Sequence, residues 1–140
     1  KHLRIEPSEL LRKVPFFADT PAAEVDRVIK PLRLLTVPAG QSLIVEGSKD
    51  RSLYLIARGV VRVSKNSGGG SQDVATLIAG DFFGEMALLR GVARTATCRA
   101  VTPCAVYKLS RKDFDRVRTT CPTVQAALEA VDLQRRSGLV

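Results

Sequence analysis

Between Leu32 and Leu109 the apolar text never runs far before a turn signal cuts it. The short runs are Leu32 to Val37, Ser42 to Val45, Leu53 to Ala57, Val60 to Ser64, Val74 to Ile78, Thr95 to Val101 and Ala105 to Leu109. Between them stand Pro38-Ala39-Gly40, Glu46-Gly47-Ser48, Arg58-Gly59, Asn66 to Ser71 and Ala79-Gly80-Asp81, all rich in residues that favour tight turns. Helices need longer uninterrupted text, so this spacing predicts many short antiparallel strands arranged as a β-roll of jelly-roll type, with about eight strands. Arg62, Ser64 and Lys65 alternate with Val61 and Val63, as expected of strands with one buried face. Gly68-Gly69-Gly70 reads as a hairpin tip.

Both ends of the chain read as helical. Ser8 is placed to cap a helix from Glu9 to Val14, and Thr20 with Pro21 to open another over Ala22 to Lys30. In the second, Ala22, Val25, Val28 and Ile29 share one face, which marks a side packed on the core. After Ser110, a good N-cap, a helix is predicted over Lys112 to Thr119, and Pro122 opens a last one reaching about Arg136. The expected organisation is therefore a helical segment over 1–31, a roll over 32–109, and two C-terminal helices over 110–140. All of it fits one mainly β domain of 140 residues.

Composition removes several classes of function. The only histidine is His2, and the three cysteines lack CxxC spacing, so neither a zinc site, a disulfide framework nor a metal-dependent barrel enzyme has ligands to work with. Cys98 and Cys104 lie in strand text and read as core residues of a reducing, cytoplasmic environment. No apolar run approaches the roughly 18 to 20 residues of a membrane span, and no signal peptide is visible. The net charge of +8 invites anions, but the basic residues are scattered and form neither a tail nor a stripe. A solvated surface is expected, with no nucleic-acid partner for this segment. The start at Lys1, without an initiator Met, suggests a piece of a larger protein.

One stretch breaks the strand pattern. Gly80-Asp81-Phe82-Phe83-Gly84-Glu85-Met86-Ala87-Leu88-Leu89 is followed by Arg90-Gly91-Val92-Ala93-Arg94-Thr95-Ala96-Thr97. Gly84 lets a backbone approach a ligand closely, and Glu85 to Leu88 are good helix formers, so a short helix is expected to present its first free N–H groups outward. Such an end attracts phosphate, and Arg94 supplies a full charge and a two-pronged fork for phosphate oxygens. Glu85 would repel the same phosphate unless it had another task. Accepting a hydrogen bond from a ribose 2′-OH is that task, so Glu85 with Arg94 implies a ligand bearing both a phosphate and a free 2′-hydroxyl.

These runs, Gly-Glu-Met-Ala-Leu and Arg-Thr-Ala, resemble the phosphate-binding cassette of the cyclic-nucleotide-binding domain family, and closest in character are the domains of bacterial cyclic-nucleotide-regulated potassium channels. Val14-Pro15-Phe16-Phe17, the Pro38-Ala39-Gly40 turn and Gly59 are similar surroundings, and the likeness spans about residues 8 to 136. The family's Gly-Glu-x-Gly-Asp turn is altered to Glu46-Gly47-Ser48-Lys49-Asp50. The resemblance implies a cassette over 84–96 that holds cAMP or cGMP without other cofactor and without catalysis. Gly84 and Glu85 would meet the ribose, Glu85 through the 2′-OH, Met86 and Ala87 would give backbone N–H groups to the cyclic phosphate, Arg94 would pair with it and Thr95 would add a donor; Phe83, read chiefly as a core anchor, and Ala96 are counted with them at the ligand. Thr95 keeps guanine recognition open, and Arg135, with Arg136 beside it, would act as a lid over the purine. It further implies an attached effector, a membrane channel or transporter, with homo-oligomers formed through the parent. The competing expectation is the sensing half of a catabolite-activator-type regulator without its helix-turn-helix.

Overall fold

The computed structural model describes residues 5–14, 17–126 and 129–130, except the side chains of Met86, Leu89 and Arg90. Two helices, α1 (Pro7–Lys13) and α2 (Ala22–Ile29), precede β1 (Arg33–Val37), β2 (Ser42–Ile44), β3 (Leu53–Arg58), β4 (Val60–Ser67), β5 (Gly70–Ile78) and β6 (Phe82–Phe83). A short helix α3 (Glu85–Arg90) follows, then β7 (Thr97–Ala100), β8 (Cys104–Leu109) and α4 (Arg111–Thr120). A further helical turn covers residues 122–126. The expected mainly β, jelly-roll-like architecture is what forms: two four-stranded antiparallel sheets, ordered β1-β8-β3-β6 and β2-β7-β4-β5.

Strand β3 decides how these layers stack, because successive side chains of a strand point to opposite faces. Leu53, Leu55 and Ala57 join α1, α2 and α4 in one apolar cluster with Leu10, Phe17, Val28 and Phe114. Tyr54 and Ile56 face the other way, into a second cluster between the sheets with Ile44, Val61, Phe83, Cys98 and Val106. The helices thus cover one face of the first sheet, and the second sheet covers the other. Cys98 and Cys104 are buried free thiols in the second cluster, as expected of core residues.

Several local expectations shift. Helix α1 starts at Pro7, so Ser8 lies inside it and no side chain caps it; proline's fixed φ suits the first helical position and overrides a serine cap one residue later. Thr20 does not cap α2, whose N-cap is Pro21; the threonine is buried and its Oγ1 has no hydrogen-bond partner among the described residues. Ser110 does cap α4, accepting from the Asp113 N–H at 3.2 Å. The β4–β5 ladder runs on to Ser67 opposite Gly70, so much of the polar text read as a turn is strand.

Candidate nucleotide-binding site

The cassette is built around two backbone necessities. Gly84 has φ of 92° at the N-cap of α3, in the left-handed region that glycine adopts without strain. A Cβ there would lie 2.5 Å from the Ser52 carbonyl oxygen and 2.9 Å from Arg94 Nη1, so the absence of a side chain is what lets three segments meet. Gly91 ends the helix with φ of 67°, its N–H donating to the Ala87 carbonyl.

Arg94 sits where these segments converge. It is 6% exposed, although arginine is rarely buried unless paired. Its Nη2 donates to Asp50 Oδ2 at 2.9 Å and to the Ser52 carbonyl at 2.7 Å, and its Nη1 donates to the Gly84 carbonyl at 3.0 Å. The third nitrogen differs: Nε is shielded from solvent and has no hydrogen-bond partner among the described residues. The main chain of Arg94 is fixed as well, its N–H donating to the Ser48 carbonyl and its carbonyl accepting from Gly47 N–H. Thr97 Oγ1 accepts from Glu46 N–H at 2.9 Å, which staples the altered turn Glu46 to Asp50 to the start of β7, directly after the cassette.

Asp50 is the residue that sequence reasoning missed. Its Oδ1 accepts from the Ser52 hydroxyl at 3.0 Å, and its Oδ2 accepts from the Tyr54 hydroxyl at 3.2 Å as well as from Arg94. Burial works to raise its pKa, but hydrogen bonds from Arg94 and Ser52 and the charges of Arg94 and Lys108 outweigh it, leaving the carboxyl below its ordinary value of 3.8. The available signal was an acid closing a turn just before a strand, opposite a chain segment with an arginine that needed a counter-ion.

A cavity of about 170 Å³ opens beside Arg94, lined by Phe83, Gly84, Glu85, Ala87, Arg94, Thr95 and Ala96. Seven of the nine residues singled out in the sequence therefore share one hollow. Ile44, Val63, Val92, Ala93 and Cys98, not foreseen, complete an apolar wall. Glu85 and Arg94 meet at this hollow although nine positions separate them. Met86 belongs to α3 by its backbone, its side chain lying outside the description, and Arg135 and Arg136 lie outside the described residues altogether. Pro15 and Phe16 of the Val-Pro-Phe-Phe run do so too.

With this geometry in place, the sequence matches the family model of the cyclic nucleotide-binding domain over residues 34–121. The chain belongs to that family. It is 31% identical over 130 residues to a cyclic nucleotide-gated potassium channel of Rhizobium etli, covering 93% of this chain and 35% of the channel. Among solved structures it resembles the regulatory domain of Toxoplasma gondii PKA with cAMP, at a TM-score of 0.76 and 30% identity, over 79% of this chain and 42% of that one. The Thermus thermophilus catabolite activator protein gives a TM-score of 0.76 and 31% identity, over 88% of this chain and 58% of that one. As a cyclic nucleotide-binding domain, the chain thus spans less than two thirds of each of these relatives. Among the described residues no group of three or more His, Cys, Asp or Glu side chains is placed to hold a metal ion, and no helix is long and apolar enough to cross a membrane.

Proposed function

We propose that this domain is a non-catalytic sensor that binds cAMP or cGMP in the Phe83–Ala96 hollow and passes the event to an attached effector. The observation that carries the reading is the Arg94 Nε donor, buried, without a partner among the described residues and part of a side chain lining the cavity. A buried guanidinium donor without an acceptor is costly, and a cyclic phosphate oxygen is the acceptor that removes the cost. Met86 and Ala87 N–H groups would share that phosphate, and Thr95 would add its hydroxyl. Glu85 accepts from the ribose 2′-OH, while Ile44, Val63, Val92 and Cys98 offer the base an apolar surface. Nothing in this set supplies a nucleophile with a paired base.

The effector is a channel or transporter on this reading, supported by the likeness to the bacterial potassium channel, with the domain on the cytoplasmic side and homo-oligomers made through the parent. Arg135 is assigned the lid on sequence alone. The ligand selects a closed arrangement by its differential affinity, and the effector shares that equilibrium. A second reading, the sensing half of a transcription regulator, draws on the likeness to the catabolite activator. Calorimetric titration with cAMP, cGMP and 5′-AMP tests the site: cyclic esters are expected to bind tighter than 5′-AMP, and equal affinities would overturn the assignment.

A further inference from the structure

Tyr54 is not among the residues lining the cavity, yet it touches Phe83, which lines it, and Asp50, which holds the lining Arg94. Its hydroxyl donates to Asp50 Oδ2 at 3.2 Å, the same oxygen that receives Arg94 Nη2 at 2.9 Å. A carboxylate oxygen has two lone pairs, so Oδ2 accepts both donors together. Its ring stacks on Phe83 with centroids 5.1 Å apart and planes 8° from parallel, and Phe83 lines the cavity directly before Gly84. Lys108 Nζ lies 5.9 Å from the centroid of the same ring. All three residues meet through register: Tyr54 of β3 is opposite Phe83 of β6 on one side and Lys108 of β8 on the other.

We infer that Tyr54 is a positioning residue of the nucleotide site, acting through Asp50 and Phe83 without touching the ligand. The inference rests on the reading of the hollow as a cyclic-nucleotide pocket. Asp50 sits on a loop with its side chain 38% exposed, and a carboxylate in that setting rotates unless it is held. Tyr54 is 4% exposed on a strand packed on both faces, so its hydroxyl is a fixed point. Anchoring Asp50 there settles the Arg94 fork before ligand arrives, and ordering completed in advance is not charged against affinity. Burial, then the charge and hydrogen bond of Asp50, push the phenol up to about 12, so it stays a donor at all physiological pH.

The test compares Tyr54→Phe, which keeps the ring and removes the hydroxyl, with Asp50→Ala and the double variant, titrating each with cAMP in a calorimeter. The Tyr54 hydroxyl acts on the ligand only through Asp50, so Tyr54→Phe should weaken binding by about three- to tenfold, the scale of one ordinary net hydrogen bond. Asp50→Ala should weaken binding as well, and in that background Tyr54→Phe should change affinity by less than about twofold, since the hydroxyl has lost its partner. A purely architectural tyrosine would show its loss undiminished in the double variant, and that result overturns the inference. Unchanged affinity in either single variant does so too, and Asp50→Ala keeps the question decidable if Tyr54→Phe does not fold. Arg94→Ala run beside them separates the two claims: if it binds cAMP as the parent does, the pocket reading fails; if it is impaired while Tyr54→Phe is not, only Tyr54 falls.

Discussion

Arg94 and Asp50 stand 44 positions apart in the chain and 2.9 Å apart in the fold, a buried guanidinium fork held by a half-exposed carboxylate. The pair is not closed on itself, since the arginine keeps one shielded nitrogen that has no partner among the described residues. Asp50 therefore aims Arg94 while leaving it the donor that the proposed ligand would take up.

Replacing Arg94 with Ala removes the charge proposed to face the phosphate and leaves Asp50, the Ser52 carbonyl and the Gly84 carbonyl short of a donor. Affinity for cAMP and cGMP is expected to fall about 10- to 100-fold, on the order of 2 kcal/mol or more. Calorimetry reads the change directly, and unaltered affinity would remove Arg94 from the site. Melting temperature should fall too, because Asp50 and the Ser52 carbonyl lose their side-chain tie to the cassette while the main-chain bonds of residue 94 remain.

Gly84→Ala combines a side chain at positive φ with contacts of 2.5 Å to the Ser52 oxygen and 2.9 Å to Arg94 Nη1. The backbone carbonyl cannot retreat without disturbing β3. A stability loss of at least about 1 kcal/mol is expected, together with weakened nucleotide binding, read by thermal melting and titration of the same sample. A variant that melts and binds like the parent would show that the close approach is dispensable.

The Asp50 carboxyl lies below its ordinary value of 3.8, so its contribution to stability is complete above that pH and disappears as pH falls through the lower folded-state value. Stability from this pair should be flat across neutral pH and decline only in acid. Asp50→Asn should shed that acid-dependent part. Melting curves taken from pH 7 down to pH 3 on both proteins test it, and parallel curves would refute the link.

The far end of α3 is held by two arginines from different places: Arg51 Nε donates to the Ala87 carbonyl at 3.3 Å, and Arg111 of α4 donates through Nη1 to the Leu88 carbonyl. Arg111 also pairs with Asp115 at 3.0 Å and lies over the Phe114 ring. This is a physical tie between the cassette and the first C-terminal helix. Arg111→Ala should leave cAMP affinity within about threefold while reducing the change in α4 amide exchange caused by cAMP. Equal exchange responses in both proteins would discount the tie.

Cys98 lines the cavity, and burial, opposed by the nearby Arg94 charge, pushes its thiol up to about 11. A neutral buried thiol is a poor nucleophile. Labelling by a thiol reagent at pH 8 should be slow and should slow further with saturating cAMP. Rapid labelling that ignores the nucleotide would place Cys98 away from the ligand.

Much of this was legible in the sequence where side-chain pattern and backbone demand coincide. The strand cores over Leu53 to Ala57 and Val60 to Ser64 alternate or run apolar, and Gly84 and Arg94 carry chemistry that few other positions suit. The extension of β4 and β5 to Ser67 and Gly70 was hidden because a hairpin ladder is held by main-chain bonds, which exposed Ser, Asn and Gly make as well as valine does. Phe82 and Phe83 form a strand only because Tyr54 and Leu55 offer them an edge, a tertiary fact. Asp50 was hidden for the same reason: its importance lies in what stands opposite, 44 residues later.

The two-sided packing of β3 leaves that strand no tolerance for slippage. A shift of one residue would exchange Leu53, Leu55 and Ala57 for Tyr54 and Ile56, turning the tyrosine hydroxyl toward the helices and away from Asp50. Faithful threading of a single strand during folding is thereby also what arms the arginine, so a misthreaded molecule would be deaf to its ligand as well as unstable.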